Sequence, residues 1–273
     1  MKTKKKIGII GFGNMGQAIA KRLKDSYEIH VFDKDKNKTK DSSGVIVNQE
    51  IEDLLTITEI IILAVKPQDF RALLDSIKGF IQNKLVISIA AGISTSFIER
   101  HLEATPRIVR VMPNIPVKIG EGISCLCKGS IAKDGDIKSA EEIFKHLGIT
   151  LLLDEKKMDA ATAISGSGPG YLCDFIENNG MDMEKAEEFK IKLGNAAKSL
   201  GFNNAEATTL AKATTSGTLK MLKAGNIAPA QLKKQVTSKG GTTEAGLKAW
   251  HKKDGTLKDA VEAALKRAKE LSK

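Results

Sequence analysis

The sequence predicts an α/β protein in which a doubly wound, parallel sheet is followed by an all-helical domain. Over residues 1–153, short apolar runs alternate with segments of helical periodicity, as they do in parallel sheets. After about Leu153 the apolar runs stop, alanine and lysine become frequent, and long segments of helical period follow. We therefore predict two domains, 1–153 and 154–273, with the boundary near Asp154.

The elements of the first domain can be assigned in chain order. Lys6–Ile10 is a short apolar run that stops at Gly11, which is typical of a buried strand. Asn14–Lys24 repeats apolar residues four positions apart and predicts a helix. Further strands are predicted over Tyr27–Phe32, Ile60–Val65, Leu85–Ile89 and Arg107–Met112, and a helix over Phe70–Ile81.

The second domain contains segments of helical period and no internal repeat or low-complexity linker. Helices are predicted over Met183–Leu200, Ala205–Leu222, Glu244–His251 and Leu257–Leu271. The second of these carries an alanine-rich face that suits close packing between subunits, formed by Ala205, Ala207, Ala211 and Ala213.

Composition excludes several classes of protein. Hydrophobic residues make up 41% of the 273 residues, and no apolar run is as long as a membrane span. Met1–Lys6 is charged like the start of a signal peptide, but the apolar run Ile7–Ile10 is too short for one. We expect a cytoplasmic protein without a membrane partner.

The formal net charge of +10 could indicate nucleic-acid binding. The lysines are, however, scattered among acidic residues, and aromatic residues make up only 4% of the chain. We expect no nucleic-acid partner and read the charge as a solvated surface that favours anionic small molecules.

The three cysteines, Cys125, Cys127 and Cys173, form no paired CxxC motif. An odd number without such spacing argues against both a disulfide framework and a zinc site. We expect buried, reduced thiols and no metal.

The first motif that carries chemistry is the GxGxxG of residues 11–16. It follows a predicted strand and opens a predicted helix, which is the context that a dinucleotide-binding turn of the Rossmann type requires. Gly11 permits the tight turn, Gly13 lets the backbone approach a pyrophosphate, and Gly16 lets helix and strand pack closely. The alternative is a glycine-rich turn with no ligand.

Asp33 stands at the end of the second predicted strand, where a carboxylate would accept hydrogen bonds from the adenosine ribose. Its charge would repel the 2′-phosphate of NADP, so NADH is slightly favoured over NADPH. Lys34 and Lys36 are adjacent and could restore NADP binding. Asp33 could also merely begin a turn.

Three further segments follow strands of the same predicted sheet: Ala64–Pro67, Ala90–Gly92 and Met112–Asn114. Ligands of such sheets bind at the carboxyl ends of the strands. Asn114, between two prolines, is positioned to meet a nicotinamide. The alternative is that these segments only lead out of the strands and bind no ligand.

Glycines and hydroxyls are concentrated at two places in the helical domain. Ser165–Tyr171 reads by itself as a flexible turn before a helix that begins near Tyr171. Gly240–Thr243 reads as a second helix entrance. Together they indicate hydroxyl and backbone N–H groups that could hold a small carboxylate. The alternative for Gly240–Thr243 is an ordinary helix cap formed by Thr242 or Thr243.

These segments together resemble the 1-pyrroline-5-carboxylate reductase family along essentially the whole chain. The matching stretches are "IGIIGFGNMG" at 7–16, "AVKP" at 64–67, "SIAAG" at 88–92, "RVMPN" at 110–114, "SGSGP" at 165–169 and "VTSKGGTTEAGL" at 236–247. The last is the most specific. The resemblance implies a Rossmann-type domain followed by a helical dimerisation domain, and a homo-oligomer built through the latter.

The resemblance also implies the functional residues. It gives a cofactor site for NAD(P)H formed by Gly11, Phe12, Gly13, Asn14, Met15, Gly16, Asp33, Asn48, Ala64, Val65, Lys66, Pro67, Ala91, Gly92 and Asn114. The substrate site that it implies comprises Glu155, Ser238, Gly241, Thr242 and Thr243. Thr243 is the predicted catalytic residue, with its hydroxyl near the ring nitrogen of the substrate.

The chain departs from the family pattern at several positions. Where the family has MPNTP, GPAY, His-Pro and SPGGTT, this sequence carries Ile115, Gly170, Ala228 and Lys239. An extra stretch, 178–190, interrupts the first helices of the dimerisation domain.

The implied reaction is hydride transfer to C5 of a cyclic imine to give proline, which ends proline biosynthesis. It needs no strong general base, and His30, His101, His146 and His251 fall outside every motif, as surface or packing residues. The alternatives are another two-domain NAD(P)-dependent imine or hydroxyacid oxidoreductase and a non-catalytic NAD-binding protein.

Overall fold

The structure is a computed structural model that describes residues 4–40, 42–103 and 106–271. The strands are β1 (Lys6–Ile10), β2 (Glu28–Phe32), β3 (Ile46–Val47), β4 (Ile60–Leu63), β5 (Leu85–Ser88), β6 (Arg107–Pro113), β7 (Gly122–Lys128) and β8 (Gly148–Leu152). The helices of the first 150 residues are α1 (Asn14–Leu23), α2 (Ile51–Ile57), α3 (Pro67–Ile77), α4 (Thr95–Leu102) and α5 (Asp134–Lys145).

From residue 155 onward every described element is helical. A short 3₁₀ turn, Glu155–Lys157, leads into α6 (Met158–Ala161), a π-helical segment (Thr162–Gly166) and α7 (Gly168–Asn179). These are followed by α8 (Met183–Ser199), α9 (Asn204–Gly225), α10 (Pro229–Val236), α11 (Thr242–Trp250) and α12 (Leu257–Leu271). The predicted fold class, a doubly wound sheet followed by a helical region, is confirmed.

The eight strands form one sheet in the order β3-β2-β1-β4-β5-β6-β7-β8. Strands β1 to β6 pair in parallel, with Ile9 opposite Val31 on one side and Ile62 on the other. The chain leaves β1 in one direction and returns to β4 on the other side of it. The carboxyl end of β1 therefore lies at the topological switch point, where ligands of such sheets bind.

The chain divides into two compact units. One consists of Met1–Val111 and Leu126–His146, and the other of Met112–Cys125 and Leu147–Lys273. The core of the first unit is aliphatic and includes Leu54, Leu63, Leu74 and Val86, all fully buried. The domain boundary predicted near Asp154 stays a prediction.

The alanine-rich face of α9 has another role than the predicted one. Ala207, Ala211 and Ala213 are at most 6% exposed within the single chain. They are therefore used in packing α9 into its own unit, and only Ala205 of the predicted set is exposed. Small side chains at these positions let neighbouring helices approach closely.

Two further expectations can be compared with the structure. The three cysteines are buried, as predicted, and the structure places none of them in a disulfide. Among the described residues, no helix has the length and apolar character needed to span a membrane.

Candidate functional site

The turn between β1 and α1 is built from glycines that the backbone requires. Gly11 has φ +97°, and a Cβ there would lie 2.7 Å from the carbonyl carbon of Ala64. A Cβ on Gly16 would lie 2.0 Å from the carbonyl oxygen of Gly11, so α1 can pack this close to the turn only with glycine. Space is open around Gly13. This combination of two closed positions and one open one is what a pyrophosphate-binding turn needs.

The N-terminus of α1 is arranged to receive an anion. The helix begins at Asn14 with Gly13 as its N-cap, and no side chain caps it. The N–H groups of its first turn are therefore left for a ligand or solvent, and the helix dipole favours negative charge there. The Gln17 side chain donates to the Phe12 carbonyl oxygen at 2.9 Å and steadies the turn.

Asp33 follows β2 and is tied to the same turn. Its carboxylate accepts the N–H of Phe12 at 2.7 Å and the N–H of Asp35 at 2.9 Å. Lys38 donates to it at 3.2 Å. Burial alone would raise the pKa of this carboxyl, but these hydrogen bonds and the Lys38 charge hold it below its usual value. The carboxylate is therefore ionised at neutral pH.

The lysine at this carboxylate is not one of the two that the sequence suggested. Lys34 pairs with Asp69 at 2.7 Å, and Lys36 donates to a backbone carbonyl. Lys38 reaches Asp33 instead, because the 3₁₀ turn Lys36–Thr39 folds the chain back toward β2. Spacing along the sequence gave no sign of this contact.

Asn48 lies beside β2, where its backbone N–H donates to the Val31 carbonyl oxygen at 2.9 Å. Its Oδ1 is 3.2 Å from Nδ1 of His30, whose other nitrogen is 3.0 Å from Glu28. His30 is only 4% exposed. The histidine is therefore a packing residue, as predicted, and it fixes the carboxamide of a predicted cofactor residue.

The remaining predicted cofactor residues follow other strands. Ala64, Val65 and Lys66 come directly after β4, and Pro67 is the first residue of α3. Ala91 and Gly92 follow β5, with Gly92 at φ +76°.

Asn114 belongs to the second unit. It is 2% exposed, and its Oδ1 accepts the N–H of Ile123 at 2.9 Å. Its Nδ2 is buried without a hydrogen-bond partner among the described residues. That it meets a nicotinamide stays a prediction.

In the second unit, the stretch Ser165–Tyr171 is not a turn. It runs from a π-helical segment into α7, which begins at Gly168 rather than near Tyr171. Its glycines mark close approaches of side chains: a Cβ on Gly168 would lie 2.6 Å from the Thr214 methyl, and one on Gly170 would lie 2.6 Å from the Thr243 methyl. The prediction of a flexible turn is wrong because these glycines serve packing.

The stretch Gly240–Thr243 does form a helix entrance. Gly241 is the N-cap of α11, and Gly240, at φ +70°, makes the preceding turn. The Gly240 N–H donates to Glu244 at 2.9 Å, and Arg267 donates to the Gly240 carbonyl oxygen at 2.6 Å. The alternative in which Thr242 or Thr243 is the capping residue is wrong, since Gly241 occupies that position.

The hydroxyl residues of this entrance have distinct surroundings. Ser238 is exposed, and its Oγ would lie 2.3 Å from a Cβ on Gly241, so it covers the N-cap closely. Thr242 is half-buried and its Oγ1 is 3.0 Å from Oγ of Ser167. Thr243 is 4% exposed. Ser238, Gly241, Thr242 and Thr243 are thus neighbours within the second unit.

Glu155, the other predicted substrate residue, begins the 3₁₀ turn before α6 and is half-buried. Its predicted substrate contact stays a prediction.

A cluster of charged side chains, which the sequence did not suggest, connects α7, α10 and the end of α11. Asp174 on α7 is 4% exposed and accepts from Lys233 of α10 at 2.9 Å. His251, which follows α11, lies 2.8 Å from its other oxygen. Burial would raise the pKa of this carboxyl, but His251 and Lys233 hold it below its usual value. The carboxylate therefore joins three helices.

Comparison with known proteins decides the family. A family model described as pyrroline-5-carboxylate reductase dimerisation matches residues 155–271, and one described as NADP oxidoreductase coenzyme F420-dependent matches residues 6–92. The chain is 32% identical to pyrroline-5-carboxylate reductase 2 of Bacillus subtilis, over 98% of this chain and 95% of that protein. The chain belongs to the pyrroline-5-carboxylate reductase family.

Other members agree over the whole length. Pyrroline-5-carboxylate reductase of Methanosarcina acetivorans is 35% identical, with 98% of each chain covered. The crystal structure of the Plasmodium falciparum pyrroline carboxylate reductase, solved with NADP bound, superimposes with a TM-score of 0.66 at 30% identity and covers 100% of both chains.

Three departures from the pyrroline-5-carboxylate reductase pattern have a visible local setting. Gly170, where the family carries alanine, leaves room for the methyl group of Thr243. Lys239 is exposed in the turn before α11. Ile115 packs in a buried apolar cluster with Cys173, Met221 and Leu232. Nothing in the structure explains Ala228. The predicted extra stretch 178–190 forms the last two residues of α7, the turn after it and the first part of α8.

Proposed function

We propose that this protein reduces 1-pyrroline-5-carboxylate to L-proline with NAD(P)H. The observation that carries the proposal is the full-length identity of about one third to curated pyrroline-5-carboxylate reductases, 32% over 98% of the chain in one case. It is supported by a glycine turn at the switch point of the first unit and a hydroxyl-bearing helix entrance in the second. No observation favours another imine or hydroxyacid reductase, or a non-catalytic NAD-binding protein.

The first unit fits a dinucleotide. The open space at Gly13 and the uncapped start of α1 suit a pyrophosphate, while Gly11 and Gly16 close the turn behind it. In the proposed site, Asn14 and Met15 supply backbone N–H groups to the pyrophosphate, and Asp33 and Asn48 contact the ribose. The predicted cofactor residues that follow the other strands complete the lining of the site. When bound, the reduced nicotinamide supplies the hydride that C5 of the imine accepts.

The second unit supplies the groups for the substrate. Ser238, Gly241 and Thr242 surround the start of α11, where N–H groups and the helix dipole favour the substrate carboxylate. Thr243 follows by one residue, and its hydroxyl orients the ring nitrogen of the iminium or relays its proton. Glu155 is the remaining substrate residue in this proposal.

The residues present match the proton requirement of the reaction. A protonated imine is the better hydride acceptor, so the site needs to hold an iminium and its carboxylate rather than a strong base. Neutral hydroxyls and backbone N–H groups meet that need. We place the domain boundary near Asp154, so that the substrate groups all belong to the helical domain.

NADH is slightly favoured in this proposal. The ionised Asp33 carboxylate opposes a 2′-phosphate, and Lys38 at 3.2 Å offsets part of that charge. The preference is therefore small, and Lys38 rather than Lys34 or Lys36 is the residue that limits it.

The protein works as a homo-oligomer built through residues 155–271, which match the dimerisation model of the family. Apolar side chains that remain exposed in the single chain, including Leu152 (54% exposed) and Ile191 (54% exposed), suit burial between subunits. The proposed location is the cytoplasm.

One assay tests the function. Oxidation of NADH and of NADPH is followed with 1-pyrroline-5-carboxylate, with a 2-keto acid and with no acceptor, and the product is identified as proline. Turnover with the cyclic imine alone is the expected result, and turnover with the keto acid alone would refute the proposal. Light scattering at micromolar concentration tests the oligomer, which a monomer would refute.

A further inference from the structure

Three hydroxyls form a buried row behind the entrance of α11. Thr242 Oγ1 lies 3.0 Å from Ser167 Oγ, and Ser167 is 0% exposed. Tyr171, also 0% exposed, follows Ser167 by four residues, about one helical turn, and its phenol interacts with that serine. Thr242 is the half-buried end of the row and Tyr171 the closed end.

The closed end of the row is held in place by packing. A Cβ on Gly246 would lie 2.2 Å from the Tyr171 hydroxyl, so α11 approaches the phenol closely only because glycine stands there. The ring of Trp250 packs edge-on against the Tyr171 ring at 6.0 Å between centroids. The phenol also lies 3.5 Å from the Ala260 carbonyl oxygen, the far limit for a hydrogen bond. Tyr171 therefore has little freedom to move.

When an anion is bound, the numbers of donors and acceptors determine which hydroxyl donates a hydrogen bond and which accepts it. A carboxylate accepts hydrogen bonds and donates none, so a Thr242 hydroxyl that contacts it must donate. The lone pairs of Thr242 are then free to accept from Ser167. Thr242 donates to the anion and accepts from Ser167, which is an arrangement in which the two hydrogen bonds strengthen each other.

We propose that Ser167 is a positioning residue for substrate binding, whose hydroxyl donates to Thr242 and directs the Thr242 proton at the substrate carboxylate. This inference rests on the proposed function and adds to it a residue outside the predicted substrate site. Ser167 does not touch the substrate. It acts by removing the orientation in which Thr242 turns its proton inward to Ser167.

The test compares two buried serines of the same helical run. Ser165 is also 0% exposed, but its Oγ donates to the Ala161 carbonyl oxygen at 2.9 Å within its own helix. Ser167→Ala should raise KM for 1-pyrroline-5-carboxylate by about ten-fold and leave KM for NADH within about two-fold. Ser165→Ala should change neither KM by more than about two-fold. A purely structural role for Ser167 predicts that the two variants behave alike.

A double-mutant cycle with Thr242 makes the test specific. Thr242→Ala alone should raise the same KM, and adding Ser167→Ala to it should raise KM no further, because Ser167 then has no hydroxyl to direct. Multiplicative losses from Ser167→Ala and Thr242→Ala would overturn the inference, as would an unchanged substrate KM in Ser167→Ala.

Failure of the proposed function gives a different result. A wild-type protein that does not turn over 1-pyrroline-5-carboxylate with either coenzyme overturns that function and this inference with it. An active wild type with multiplicative variants overturns the inference alone. If Ser167→Ala does not fold, Ser167→Cys keeps the volume with a weak donor and should give an intermediate KM, and a wild-type KM in that variant counts against the inference.

Discussion

Replacing Gly170 by alanine restores the residue that the family pattern carries, yet the structure predicts that the change destabilises this protein. Gly170 is the third residue of α7, which begins two residues after the end of a π-helical segment. In a helix, alanine is favoured over glycine by about 1 kcal/mol. This gain is opposed by the lack of space for a Cβ at position 170.

The space can be measured from the positions of the neighbouring atoms. A Cβ on Gly170 would lie 2.6 Å from the methyl carbon of Thr243 and 3.0 Å from a methyl carbon of Val236. Carbon atoms in contact prefer about 3.5–4.0 Å, so the shorter distance must open by about 1 Å. Overpacking of this kind costs about 1–3 kcal/mol, which leaves Gly170→Ala between about neutral and about 2 kcal/mol less stable.

Gly194 in α8 provides the matched control. A Cβ there would meet only the Ala211 Cβ at 3.6 Å, an ordinary contact. Gly194→Ala should therefore gain the helix term of about 1 kcal/mol without the overpacking cost. The two variants should differ by about 1–3 kcal/mol in the free energy of unfolding, in favour of Gly194→Ala.

Urea unfolding of both variants and the wild type, at one protein concentration, measures that difference. Kinetics supply a second readout, because only Gly170→Ala pushes on Thr243. We expect kcat/KM for the imine to fall in Gly170→Ala and to stay at the wild-type value in Gly194→Ala. Equal stabilisation by both substitutions would refute the reasoning, since it would mean that Thr243 and Val236 move aside at no cost.

Three further changes test other parts of the molecule. Asp33→Ser should shift the ratio of kcat/KM for NADH and NADPH toward NADPH, because the charge opposing the 2′-phosphate is removed while Lys38 remains; an unchanged ratio would count against the role of Asp33. Thr243→Ala should lower kcat/KM for the imine by about ten-fold or more, equivalent to about 1.4 kcal/mol, with little change in melting temperature, and early melting with normal turnover would contradict this. Asp174→Asn should cost about 2 kcal/mol of stability near pH 7, because a buried charge-assisted hydrogen-bond partner is lost. Since the pKa of Asp174 is depressed on folding, its contribution is present above its unfolded pKa of about 3.9 and is lost as the pH falls through the folded pKa. The stability gap between wild type and Asp174→Asn should therefore close in urea titrations at acidic pH, and a gap that widens there would be the contrary outcome.

The sequence predicted the glycine turn between β1 and α1 well because its determinants are local. The glycines of residues 11–16, the apolar run before them and the acid after the next strand all act within one βαβ unit. Periodicity also located most strands and the long helices to within a few residues. It missed β3, which has two residues, and α2, which has seven, because neither is long enough to display a period. It also assigned no element to β7, β8, α4, α5 and α10, and shortness does not explain α5, which has twelve residues.

Errors were concentrated where glycine has more than one use. Glycine and proline at 165–170 predicted a turn, whereas the chain there is helical and buried. A glycine needed for a left-handed backbone and one needed for close packing look the same in a sequence. Gly240, at φ +70°, is of the first kind, and Gly168, in contact with Thr214, is of the second.

The same limit applies to polar contacts between distant segments. Lys38 reaches Asp33 through a 3₁₀ turn, and Asp174 meets Lys233 and His251 from separate helices. Nothing in the local spacing of these residues indicates a pair, since the contacts arise from helix packing in three dimensions.

The packing glycines explain why the helix entrance can present hydroxyls at all. A Cβ on Gly170 of α7 would lie 2.6 Å from the Thr243 methyl, and a Cβ on Gly246 of α11 would lie 2.2 Å from the Tyr171 hydroxyl, so side chains at these positions would separate the two helices. Because the helices approach this closely, Ser167 comes within 3.0 Å of Thr242. Larger residues in place of Gly170 and Gly246 would leave the backbone N–H groups at the start of α11 but would remove the contact that orients its hydroxyls. Discrimination of the ring carboxylate should therefore depend on α7 as much as on the α11 residues that we propose to contact it.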